Sequence, residues 1–100
     1  VIATFAAELW VWDARRAETW TFVSVPVEVS EDIRELTEGV QRGFGSLRVR
    51  ATIGGTTWRT SIFPDSGSGC YALPVKRAVR TAEGLEPGSI AEVTVELLDV

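Results

Sequence analysis

Residues Ser46 to Asp65 read SLRVRATIGGTTWRTSIFPD. Gly54-Gly55 in the middle suits the positive φ angles of a two-residue hairpin turn. Such a turn sets Ile53 opposite Thr56, Ala51 opposite Trp58, Arg50 opposite Arg59 and Leu47 opposite Ile62. Leu47, Val49, Ala51 and Ile53 then share a face with Trp58 and Ile62. The alternation of both runs therefore agrees with the register that the turn imposes. The expectation is a pair of antiparallel strands, 46–53 and 56–63, buried on one face.

Upstream, Thr4 to Trp12 also alternates, with Phe5, Ala7, Leu9 and Val11 on one side and Glu8, Trp10 and Trp12 on the other. That period of two predicts one strand. Asp13 to Glu18 reads as a loop, and the aromatic and β-branched run Trp20–Val25 as a second strand, stopped by Pro26. Trp20 and Trp58 are assigned to the core. Ser30 is a candidate N-cap with Glu31 and Asp32 in the first turn, and Ile33, Leu36 and Val40 make an apolar helical stripe ending near Gly39 or Gly43. Downstream, 64–69 is a turn, Cys70–Leu73 a short strand, and Pro74 the first turn of a second helix. Val75, Ala78, Val79 and Ala82 form that helix's stripe, and Gly84 closes it. Ile90–Leu98 alternates as a last strand.

The order is strand-strand-helix-strand, twice. The junctions VPVEVSEDIRE and LPVKRAVRTAE place prolines 48 positions apart, at Pro26 and Pro74. This suggests a degenerate internal repeat, although proline is a common choice at any strand-to-helix junction. The chain is 100 residues long, 45% hydrophobic and 24% charged, which suits one globular domain over 1–100 and rules out disorder. Its uncharged stretches fall far short of the roughly 20 residues that a membrane helix needs, and no leader-type start is visible. One cysteine, Cys70, leaves no internal disulfide, so a cytoplasmic setting is expected. No histidine is present. That excludes Ser-His and Cys-His nucleophile pairs and every histidine-containing zinc site.

The segments FGSLRVRATIGGTTWRTSIFPD and YALPVKRAVRTAEGLEPGS, with WTFVSVP before them, resemble the family labelled domain of unknown function 1905. The resemblance runs from Phe5 to Leu98, and the Trp-Arg-Thr-Ser-x-Phe-Pro run carries most of its specificity. Ser89 departs from the Asp usual in the family at that turn. The resemblance implies a mainly β fold, a small double-split β-barrel of about six strands with two short helices, shared with AbrB-type and MazE-type DNA-binding domains. It implies no activity.

Charge is the remaining signal. From Arg42 to Arg80 there are seven basic residues against one acid, Asp65, whereas the rest of the chain holds three bases and thirteen acids. Arg50 facing Arg59, with Arg48 nearby, is repulsive in a sheet. Either Glu92 and Glu96 on the last strand neutralise the pair, or the face binds an anion through guanidinium forks. Arg48, Arg50, Arg59, Thr60, Ser61, Lys76 and Arg80 are the candidate anion-binding residues. Trp10 and Trp12, on the polar side of their strand, are candidate aromatic contacts: a ligand groove, a homodimer contact, or a surface covered by the 13–18 loop. Catalysis is poorly supported. Ser61 has no histidine partner, Cys70 is a lone thiol, and Glu92 and Glu96 lie about 13 Å apart along a strand, too far for a glycosidase pair. No catalytic residue, metal site or cofactor is expected. The expected function is a non-catalytic binding module with a basic face, for an anionic ligand or a protein partner. A nucleic-acid-binding domain is the second reading, disfavoured by a pI near 4.8. An accessory domain working with a separate partner is the third.

Overall fold

The computed structural model describes residues 2–12, 20–38, 45–65 and 67–98. The expected loop 13–18, the helix end at Gly39 or Gly43, Val40, Arg42 and Ser66 lie outside the described residues. The elements are β1 (Ile2–Glu8), β2 (Trp10–Trp12), β3 (Trp20–Ser24), α1 (Val27–Leu36), β4 (Leu47–Ile53), β5 (Thr56–Asp65), β6 (Cys70–Pro74), α2 (Arg77–Glu83) and β7 (Ile90–Leu97). The seven strands pair antiparallel in the order β1-β7-β4-β5-β6-β3-β2. β1 and β2 stand at the two ends of that order yet follow each other in the chain, so the sheet curls into a half-barrel. Its concave side is the core. Phe5, Leu9, Val23, Val49, Ala51, Ile62, Leu73, Val93 and Val95 meet there, with Ile33 of α1 and Val79 of α2.

The central hairpin has the register that its glycines dictate: Leu47 faces Ile62, Arg50 faces Arg59, Ala51 faces Trp58 and Ile53 faces Thr56. Gly54 takes φ 56°, the left-handed conformation that the turn requires. Among the described residues seven strands replace the expected six, because the first alternating run is divided at Leu9. There the Leu9 N–H donates to the Ser89 carbonyl at 2.9 Å, and the Leu9 carbonyl accepts from Gly88 N–H at 2.8 Å. Leu9 is thus bonded to a turn, while β1 pairs with β7 and β2 with β3.

Several local expectations change. Ser30 is not an N-cap: α1 begins at Val27, and Ser30 is fully buried inside it. Its hydroxyl donates to the Val25 carbonyl at 3.1 Å and accepts from Tyr71 N–H at 3.0 Å, tying α1 to β6. Leu36 is 52% exposed, and Thr37 is buried in its place, donating to the Ile33 carbonyl at 2.6 Å. Pro74 ends β6 instead of opening α2, because β6 runs on beside Phe22 of β3. Lys76 is the residue that precedes the helix. Of the second stripe, Val75 and Val79 are buried while Ala78 and Ala82 are exposed. Gly84 does close α2, at φ 64°. Trp20 is not core; its ring is 54% exposed.

The pairings are related by a two-fold exchange of the halves. Val23 faces Leu73, with Phe22 opposite Pro74 and Ser24 opposite Ala72, so the β3–β6 register is its own image. The backbone bonds beyond it match: Val25 N–H donates to Tyr71 O and Val75 N–H to Thr21 O, both at 2.8 Å. The exchange makes Thr21 equivalent to Tyr71 and Pro26 equivalent to Lys76, each immediately before its helix. The two prolines are therefore not equivalent positions. Trp10 pairs with Phe22 as Phe63 pairs with Ala72, which carries the equivalence back to Leu9 with Ile62 and Phe5 with Trp58.

Candidate anion-binding site

β5 is shared between two partners. Residues 56–62 pair with β4, and only 63–65 pair with β6. Trp58, Arg59 and Thr60 therefore have no strand on their second side among the described residues. The gap is bordered by the β6–α2 junction and by the start of β3. It forms a cleft of about 370 Å³ lined by Trp20, Thr21, Trp58, Arg59, Thr60, Pro74, Val75, Lys76, Arg77 and Arg80. The bond from Val75 N–H to Thr21 O holds the junction in place, and Arg80 Nε donates to the Val75 carbonyl at 3.1 Å.

Thr21, Trp58 and Val75 are buried and form the floor, while Trp20, Arg59, Lys76 and Arg77 are exposed at the rim. Among the described residues no carboxylate lines the cleft. Among the described residues, Arg59, Lys76 and Arg77 make no ion pair. The Thr21 hydroxyl is buried without a hydrogen-bond partner among the described residues, in a residue only 4% exposed. A buried polar group left in that state costs about 1–3 kcal/mol. A second hollow between α1 and the β1–β7 edge is lined by apolar residues with Asp32 and Glu35, and so offers an anion no cation.

Of the residues singled out from the sequence, the cleft gathers Arg59, Thr60, Lys76 and Arg80. It does not gather Arg48, Arg50 or Ser61. Arg48 faces Ser61 across the hairpin, away from the core, and Arg50 is neutralised by Glu96, Nη1 to Oε1 at 2.6 Å. Glu92 plays no such part; its strand neighbour is Ala6, and it is exposed. The cations were thus visible in the sequence, but not which of them stand at the open edge of β5 beside α2 and which lie across the hairpin on β4. Charge counting missed Arg77, although Lys76 beside it was a signal. It also missed Trp20, Thr21 and Trp58, which patterning assigns to the strand interior.

Trp10 and Trp12 border β3. Trp10 stacks on Phe22 with ring centroids 5.1 Å apart, and Phe22 on Trp20 at 6.3 Å. The Trp10 indole N–H donates to Ser24 Oγ at 3.0 Å. Trp12 lies opposite Trp20 and is 52% exposed. Cys70 is 8% exposed, packed in the manner of a small apolar residue. Among the described residues no group of three or more metal-ligating side chains occurs, and no helix is long and apolar enough to cross a membrane.

A family model described as Domain of unknown function (DUF1905) matches residues 5–95. The chain belongs to this family. The match spans both halves of the sheet and every residue lining the cleft, in agreement with the resemblance read from the hairpin and the second helix. The DUF1905 description carries no activity. No curated protein matches the chain.

The two-fold exchange supplies an internal comparison within this DUF1905 domain. Trp58, Arg59 and Thr60 correspond to Phe5, Ala6 and Ala7, and Lys76, Arg77 and Arg80 to Pro26, Val27 and Ser30. Tyr71, 1% exposed, stands where Thr21 stands in the cleft. In one half of the molecule the four equivalent positions carry no cation and a large ring fills the junction, with the Arg34 guanidinium 5.5 Å from the centre of that ring. The other half has four cations and a small residue.

Proposed function

We propose that this DUF1905 domain is a non-catalytic binding module whose cleft holds a small anion. Its pairing scheme, with each first strand of a half shared between two neighbours, supports reading the half-barrel as a double-split barrel. The observation that carries the binding reading is the unpartnered Thr21 hydroxyl beneath Arg59, Lys76 and Arg77, which make no ion pair among the described residues. An anionic oxygen would accept from that hydroxyl and from the guanidinium forks together. The positions equivalent to Arg59, Lys76, Arg77 and Arg80 are Ala6, Pro26, Val27 and Ser30, which argues that the fold itself does not require cations there.

Calorimetric titration with inorganic phosphate tests the proposal. The account predicts saturable binding that weakens as salt rises, since the rim cations are solvent-exposed. In a double variant, Arg59→Glu with Arg77→Glu, the binding disappears while the melting transition stays cooperative. Absence of binding to the unmodified protein, or undiminished binding to the double variant, overturns it.

A further inference from the structure

Trp20 is an expensive residue to leave half in water. Its ring lies at the rim of the cleft, 54% exposed. It is also held in position. Phe22 lies nearly parallel to it, at an interplanar angle of 15°, and Trp10 lies against Phe22 in turn. The Trp10 indole is fixed by its bond to Ser24. A tier of three rings therefore ends at the cleft in an aromatic surface whose orientation is already set. The equivalent position in the other half is Cys70, which is small and buried, so the fold does not require an indole there. Pro74, also in the lining, adds a flat apolar side.

We infer that the ligand of this cleft carries a planar ring beside its anionic group, with the ring along Trp20 and the anion over Thr21 among Arg59, Lys76 and Arg77. The inference rests on the anion-binding reading above and extends it to a class of ligand: an aryl or heterocyclic phosphate or carboxylate. Two features select for that class. A cleft of about 370 Å³ lies at the small end of ligand-sized sites, enough for one ring and one anionic group. Stacking on an ordered aromatic side chain is worth about 1–3 kcal/mol per ring, and a guanidinium beside the stack adds a cation–π contribution.

The test compares phenyl phosphate, glycerol phosphate and inorganic phosphate by calorimetry, on the unmodified protein and on Trp20→Leu. Phenyl phosphate is expected to bind about tenfold more tightly than glycerol phosphate, corresponding to about 1.4 kcal/mol of stacking. Trp20→Leu should remove that preference, bringing phenyl phosphate down to the affinity of glycerol phosphate on the same variant; Trp20→Phe should restore part of it. Equal affinities for phenyl and glycerol phosphate overturn the ring inference while leaving the anion site standing. If none of the three binds, the anion reading falls and this inference with it.

Discussion

Thr21 marks the difference between an open cleft and a filled core. A threonine whose hydroxyl has no partner among the described residues, at 4% exposure, is a cost that valine would remove at nearly the same volume. Thr21→Val is accordingly expected to raise stability by about 1 kcal/mol in a denaturant titration and to weaken phosphate binding. Lower stability would mean that the hydroxyl is satisfied after all. Arg50 gives the opposite case. It is 40% exposed at the side chain and paired with Glu96, 36% exposed, so the pair contributes little. Arg50→Ala should cost no more than about 1 kcal/mol and leave phosphate binding intact. A loss of binding would extend the anion site from the edge of β5 across the hairpin to β4.

Among the elements, the hairpin was legible because two independent constraints, the Gly54-Gly55 turn and the alternation on both sides, give the same register. The start of α1 was not. Ser30 has the composition of a cap, but its hydroxyl serves Val25 and Tyr71, and the Tyr71 contact is 41 positions away. Local pattern cannot register such a partner. Removing that hydroxyl by Ser30→Ala leaves a buried N–H and a buried carbonyl short of a partner, and should destabilise the fold by about 2 kcal/mol in thermal or chemical unfolding. An effect under about 0.5 kcal/mol would show that the α1–β6 tie is dispensable. The division of the first strand at Leu9 was invisible for a related reason: the bonds that break it come from Gly88 and Ser89, at the far end of the chain. Of the candidate site, the cations could be read from sequence. The cleft could not, because it arises where β5 exchanges partners and depends on the side chain that β3 contributes from the other half.

At the scale of the whole molecule, the near two-fold arrangement turns one half into a control for the other. Thr21→Tyr places at the cleft the residue that its counterpart already carries. The variant should remain folded, with a melting temperature at or above that of the parent, and should no longer bind phosphate. Retained binding would separate the anion site from the Thr21 cavity. The overall charge of −4 also bears on partners. The cations of the cleft form a local patch on an acidic molecule, which suits a small anion better than a long duplex. Random-sequence duplex DNA should therefore show no binding at physiological salt in a fluorescence polarisation titration. Tight binding with a steep salt dependence would favour the nucleic-acid reading.

The most direct single measurement is a map of backbone amide shifts as inorganic phosphate is added to nitrogen-15-labelled protein. The account predicts that saturable shifts concentrate at residues 20–21, 58–60 and 75–77. Shifts centred instead on Arg48, Arg50 and Ser61, or none at all, would contradict it.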